Sequence, residues 1–137
     1  MPEISEFFEL QYAHLCNYTS IDNNGNVNLM GIFGQINSPK YPTTLSRFVL
    51  AVALKSRLQN DKEFEFSVRI KNPNGEINKP LVTRLRNDGK KSVINLFAEI
   101  NNFVFNEPGN YEIGIFMDNE RIKTIPLLAN VIKSQYK

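Results

Sequence analysis

Apolar and polar residues alternate along much of this chain, and this alternation constrains the fold more than any other feature. Between residues 63 and 71 the order is Glu-Phe-Glu-Phe-Ser-Val-Arg-Ile-Lys. Successive side chains of a β-strand point to opposite sides of the sheet, so this pattern indicates a strand with one buried and one exposed face. The pattern recurs in two further sets, each predicted to share one face: Tyr111, Ile113, Ile115 and Met117, and Phe8, Leu10, Tyr12, His14, Cys16 and Tyr18.

Short runs rich in Asn, Asp, Gly and Pro separate these segments. They are Asp22–Asn26, Asp61–Lys62, Asn72–Gly75, Asn87–Gly89 and Asp118–Asn119. These residue types favour tight turns, because they tolerate positive φ or bond to their own backbone. The sequence therefore predicts an all-β fold of about seven to nine strands. They are expected near residues 7–18, 27–36, 47–58, 63–71, 77–86, 91–100, 103–106, 110–117 and 121–132.

Prolines indicate where the predicted arrangement of strands is irregular. Pro39 and Pro42 lie in a longer link between the second and third strands, and neither can donate to a strand ladder. Pro80 predicts that residues 77–86 form an edge strand or contain a bulge. A short helical turn is expected at Thr43–Ser46, where threonine could cap it. No other helix is expected.

Length and composition exclude several classes of protein. A chain of 137 residues is the size of one domain, and we expect residues 1–137 to form a single β-sandwich. Sixteen basic residues against fourteen acidic ones give no reason to expect nucleic acid or a membrane as partner. The single cysteine, the acidic N-terminus and the lack of a long apolar run predict a cytoplasmic protein.

Two groups of short motifs resemble known proteins. Glu107–Phe116, with Pro108, Gly109 and Tyr111, resembles the late strand of immunoglobulin-like sandwiches, in which a tyrosine locks a corner. Leu15-Cys16-Asn17-Tyr18 followed by Leu29-Met30-Gly31-Ile32-Phe33 resembles an uncharacterised family of small stand-alone bacterial proteins. The chain departs from that family at Asn17 and Gly34, where acids are usual. The resemblance implies an immunoglobulin-like β-sandwich and no established activity.

The residues that could carry chemistry do not form a recognisable catalytic or cofactor site. His14 and Cys16 would face the same side of a strand, but the sequence offers no further His or Cys to complete a zinc site. Gly31 and Gly34 lie in an apolar segment, where a bulge or close backbone approach is more usual than a phosphate loop. We therefore predict no enzyme activity, no catalytic residue and no cofactor.

The aspartates suggest an alternative function. Asp22, Asp61, Asp88 and Asp118 all fall in predicted turns, and alternate turns lie at one end of a sandwich. C2-type modules gather calcium ligands in this way, so a calcium- or lipid-dependent C2-like module is the alternative, with a small hydrolase a weaker one. Asp also favours turns for local backbone reasons, and several lysines share these turns.

The third predicted strand is apolar on both faces. Phe48, Leu50, Val52 and Leu54 suit the core, which leaves Val49, Ala51 and Ala53 facing outward, with Met30 and Ile32 adding to the apolar surface. Such a surface needs a cover. Two kinds of cover are compatible with the sequence. One comes from within the chain, as the Pro39–Ser46 link or a terminal segment, and the other is a partner protein or a second copy. The chain is accordingly predicted to be a non-enzymatic protein-interaction or self-assembling module.

Overall fold

The computed structural model describes residues 7–57, 62–87 and 93–133, which form ten strands and no helix. No helix among those residues could therefore cross a lipid bilayer. In chain order the strands are β1 (Phe8–Cys16), β2 (Tyr18–Ile21), β3 (Val27–Met30), β4 (Gln35–Ser38), β5 (Thr43–Ser56), β6 (Lys62–Lys71), β7 (Leu81–Asn87), β8 (Val93–Phe105), β9 (Gly109–Met117) and β10 (Glu120–Val131).

The strands form two large sheets and one hairpin. One sheet has three strands in the order β1-β5-β8, and the other has five in the order β4-β10-β9-β6-β7. β2 and β3 pair with each other as a separate two-stranded sheet. The alternation in residues 63–71 is confirmed, because Phe64, Phe66, Val68 and Ile70 are all buried in the core.

The core lies between the two large sheets. β5 contributes Phe48, Leu50, Val52 and Leu54, each at most 1% exposed, and β9 contributes Tyr111, Ile113, Ile115 and Met117. Burying one such side chain contributes about 1.5–3 kcal/mol. The protein is an all-β sandwich of the immunoglobulin-like kind, as its sequence predicted.

The tyrosine corner predicted at residues 107–111 is present. The Tyr111 hydroxyl donates to the Glu107 carbonyl oxygen at 2.7 Å. The Tyr111 ring meets Phe105 edge-on, with the centroids 5.0 Å apart. Burial raises the pKa of the Tyr111 hydroxyl, which therefore remains a donor well above neutral pH. The corner fixes the chain where it enters β9.

Two of the nine predicted strands are each divided in the structure, and two others are joined. Residues 7–18 divide into β1 and β2, and residues 27–36 divide into β3 and β4. The break between β3 and β4 lies at Gly31, which has φ +71° and has the Asn17 side chain in the place of a Cβ. The predicted segments 91–100 and 103–106 are one strand, β8, although Asn102 has φ +53° within it.

Three local predictions are wrong. Thr43–Ser46 is the start of β5 and not a helical turn, because these residues pair with the far end of β8. The same-face set in the first strand is broken by a bulge between Leu10 and Tyr12, so Phe8 faces the core and Cys16 the opposite side. The sandwich is not entirely antiparallel, since β4 pairs parallel to β10.

Replacing Tyr111 with phenylalanine tests the corner. Tyr111→Phe keeps the ring and removes the hydroxyl, leaving the Glu107 carbonyl without this donor, so we expect the free energy of unfolding to fall by about 1–2 kcal/mol. Urea unfolding should show a lower midpoint with an unchanged slope. Tyr18→Phe, at a tyrosine that is 60% exposed, is the matched control and should change little. Equal stability of the two variants would contradict this role for Tyr111.

Candidate binding cleft

The β2–β3 hairpin covers part of the outer face of the three-stranded sheet. Leu29 of β3 and Tyr12 of β1 pack on a small buried cluster, Cys16, Val49 and Ala51. Arg47 of β5 lies 5.8 Å from the centre of the Tyr18 ring, which adds a contact between the hairpin and the sheet. Ala53 lies in register between Tyr12 and Asn95, and the Tyr12 hydroxyl donates to Asn95 Oδ1 at 3.4 Å.

This cover corrects the predicted interface. Val49, Ala51 and Ala53 are at most 2% exposed within the chain itself, so they are not available to a partner. Cover from within the chain is therefore the alternative that the structure supports, although the β2–β3 hairpin provides it and not the Pro39–Ser46 link. Met30 and Ile32, the other two predicted interface residues, remain 53% and 56% exposed.

His14 and Cys16 lie in different surroundings. Cys16 is fully buried, and burial raises the pKa of its thiol although Arg47 opposes the change, so the thiolate is disfavoured. His14 is exposed and stacks on the Tyr12 ring with the centroids 5.8 Å apart. Within residues 7–57, 62–87 and 93–133, no three His, Cys, Asp or Glu side chains are grouped to hold a metal ion.

The predicted calcium cluster lies partly outside the described residues, which do not include Asp61 and Asp88. The Asp22 carboxylate accepts backbone N–H bonds from Asn24 and Asn26, each at 2.9 Å. The bond from the Asn26 backbone is the main cause that lowers the pKa of Asp22. The Asp118 carboxylate accepts the Glu65 backbone N–H at 2.8 Å. The Asp22 carboxylate thus stabilises its own turn, and the Asp118 carboxylate ties its turn to β6.

The more prominent surface feature is the free edge of β8. β8 is thirteen residues long and lies at one end of the three-stranded sheet. It contains no proline and a single charged residue, Glu99, which is paired with Arg47 at 2.9 Å. Proteins usually protect such edges with charges, prolines or short strands, because unpaired backbone groups invite another strand.

The other edge strands are better protected. β4 has only four residues, and β7 carries Arg84 and Arg86 and follows Pro80. The edge of β1 is partly closed by an antiparallel bridge between Leu15 and Phe33. β8 is therefore the least protected edge in the part of the chain that the structure describes.

An apolar cleft lies beside this edge, between β8 of one sheet and β7 of the other. It consists of two adjoining hollows of about 230 and 520 Å³, which share Val68, Leu81 and Glu99. From Leu96 to Val104 the β8 wall runs roughly 26 Å at the rise of a strand. The remaining lining residues are Phe66, Ile70, Asn78, Lys79, Val82, Thr83, Phe97, Ala98, Ile100, Asn101, Asn102, Phe103 and Asn106.

Large apolar side chains on both walls are open to solvent. Leu81 and Val82 of β7 are 43% and 56% exposed, and Phe97 and Val104 of β8 are 37% and 44% exposed. Leu81 pairs with Val68, which faces the core, so its side chain points between the two sheets. In the described chain no strand lies beyond β8, so the three-stranded sheet does not cover the Leu81 side chain.

The sequence held a signal for this cleft that the period-two pattern obscured. Asn101-Asn102 lies between the predicted segments 91–100 and 103–106, so the prediction of two short strands hides the length of β8 as one edge. The usable signal is the low charge of residues 93–105, with one acid in thirteen residues. The pairing order that leaves β8 at an edge depends on contacts distant in sequence.

Comparison with known proteins places the chain in a family. Residues 11–130 match the model of a family of unknown function, DUF6941, and the chain belongs to that family. The comparison with curated proteins found no match.

Solved structures share the fold at low identity. A β-glucosidase from Listeria innocua is 10% identical with a TM-score of 0.56, over 93% of this chain and 16% of that one. A β-glucosidase from Erythrobacter marinus is 11% identical with a TM-score of 0.53, over 90% of this chain and 15% of that one. An immunoglobulin-like protein from Pseudomonas aeruginosa is 9% identical with a TM-score of 0.43, over 90% of this chain and 96% of that one. This chain thus spans about a sixth of either β-glucosidase, and the likeness concerns the fold alone.

Thiol labelling tests the cover over Cys16. Truncation of Leu29, in Leu29→Ala, should loosen the hairpin and raise the rate at which a thiol reagent modifies Cys16 in the folded protein by about tenfold, as expected when local opening becomes about 1.4 kcal/mol easier. Met30→Ala is the matched control, because Met30 is the exposed neighbour on β3. Equal labelling rates in both variants would show that the hairpin does not shield Cys16.

Proposed function

We propose that this protein is a non-enzymatic interaction module that binds an extended segment of a partner protein along β8. The observation that carries the proposal is the combination of an unprotected thirteen-residue edge with an apolar cleft beside it. Strand addition takes its affinity from backbone hydrogen bonds and its specificity from pockets for alternate side chains. A strand paired with β8 would direct every second side chain toward Leu81 and Val68.

The cleft also indicates the chemistry of the segment. Its smaller hollow is apolar, with Leu81, Leu96 and Ala98, which suits Val, Ile, Leu or Phe at alternate positions of the partner. At one end Lys79 and several asparagines line the wider hollow. An acidic or amide side chain near that end of the partner would complement them. Glu99 is already paired with Arg47 and does not repel such a residue strongly.

The lack of enzymatic activity remains part of the proposal. His14 stacks on Tyr12 on the outer face of the three-stranded sheet, away from the residues that line the cleft. The buried Cys16 thiol fits a reducing compartment, and we propose the cytoplasm as the location.

Site-directed photocrosslinking tests this function. A photoreactive amino acid at Val104, on the rim of the cleft, should form an adduct with another polypeptide in the native cell, whereas the same group at Asn28 of the hairpin should not. Leu81→Lys places a charge in the cleft and should reduce the Val104 adduct by about tenfold or more, because about 1.4 kcal/mol of binding free energy corresponds to that factor.

Ile32→Lys is the matched control, since Ile32 is an exposed apolar residue of the interface that the sequence predicts. It should leave the Val104 adduct unchanged. Loss of the adduct in Ile32→Lys alone would move the interface to the Met30 and Ile32 surface. An adduct made of two copies of this chain would assign the cleft to self-assembly, and no adduct from Val104 would overturn the proposal.

A further inference from the structure

A shallow pit lies on the outer face of the five-stranded sheet, away from the cleft. Its floor is Gly114 of β9, which has Arg69 opposite it on β6 and Thr124 opposite it on β10. A hollow of about 160 Å³ lies beside Gly114, and Lys71, Glu112, Phe116 and Arg121 also line it. A Cβ at this position would lie 2.8 Å from Phe116 Cε1, so the glycine is needed for the ring to lie where it does.

Two guanidinium groups are held at this pit by one aromatic ring. Arg69 Cζ lies 4.0 Å from the centre of the Phe116 ring, and Arg121 Cζ lies 5.3 Å from the same centre. Arg69 Nη2 also donates to Asn119 Oδ1 at 2.9 Å. Stacking and hydrogen bonding restrict these long side chains before any ligand arrives, which reduces the entropy lost on binding.

The charges at the pit are unbalanced. Lys71 lies directly opposite Glu112 on the neighbouring strand, and both side chains line the pit, so their opposite charges offset each other there. The two arginines have no such partner: the side-chain ion pairs among the described residues are Arg47–Glu99, Arg57–Glu9 and Arg84–Glu63. Two fixed positive charges therefore face a hollow that the Thr124 hydroxyl also lines.

We propose that this pit binds a phosphate monoester. Guanidinium groups match phosphate and carboxylate oxygens through paired hydrogen bonds. A carboxylate carries one charge and can satisfy one guanidinium, whereas a phosphate monoester carries close to two charges and three terminal oxygens at neutral pH. Those oxygens can accept hydrogen bonds from Arg69, Arg121 and Thr124 at the same time. The ligand is either a small phosphorylated metabolite or a phosphorylated side chain.

A nuclear magnetic resonance titration of the full chain at low ionic strength tests this site. Inorganic phosphate, glycerol 3-phosphate and a short phosphoserine peptide should each cause saturable shifts at the Gly114 and Thr124 amides. Arg69→Gln and Arg121→Gln should each weaken binding by about tenfold, as expected for loss of a charge-assisted bond. Arg84→Gln is the matched control, because it removes the same charge from the same face of the sheet and should weaken binding less than about twofold.

Conservative variants separate the contribution of guanidinium geometry to binding from the contribution of charge. Arg69→Lys and Arg121→Lys keep the charge and lose the planar fork, so both should bind more weakly than the wild type while melting at a similar temperature. Tighter binding of the peptide than of glycerol 3-phosphate would identify a phosphorylated protein as the source of the phosphate group. Tighter binding of glycerol 3-phosphate would identify a small metabolite as the source. Equal weakening in Arg84→Gln, equally tight binding of acetate, or shifts that do not saturate would overturn the proposal.

Discussion

Burial of β5 on both of its faces is the constraint on which the rest of the structure depends. One face supplies Phe48, Leu50, Val52 and Leu54 to the core between the sheets. The other supplies Val49 and Ala51 to the layer beneath the hairpin, and Ala53 lies beside Tyr12. A strand without a polar face needs cover on both sides, since each exposed apolar side chain forfeits the free energy of its burial. The hairpin supplies the second cover over Val49 and Ala51, and the small Ala51 side chain leaves room for it.

The sequence predicted the parts of this fold that depend on local patterns. Alternation located β6 and β9, and turn residues located the hairpin at Asp22–Asn26 and the turn at Asp118–Asn119. The tyrosine corner followed from the residues around Tyr111. The sequence also indicated that the third strand had an apolar excess needing cover. It did not indicate which segment provides the cover, because a contact between Leu29 and Val49 leaves no periodic trace.

The features that the sequence did not predict share a physical cause. The bulge after Leu10, the break at Gly31 and the continuous β8 are each decided by partners distant in the chain. The candidate cleft was missed for the same reason, since an edge exists only once the order of strands is known. The cationic pit requires three adjacent strands in register to bring Arg69, Gly114 and Arg121 together. Residue types alone showed only basic side chains interleaved with acids.

The order of strands also bears on how the chain reaches its folded state. The three-stranded sheet needs β1, β5 and β8, and the five-stranded sheet takes β4 from before β5 and its other four strands from after it. Strands of each large sheet thus interleave in sequence, and neither sheet is complete until distant segments have met. Loop closure of this kind is slow compared with local pairing. The β2–β3 hairpin pairs residues close in sequence, but the surface on which it rests forms only when β1 joins β5. This local hairpin is therefore expected to be docked only after long-range pairing has begun.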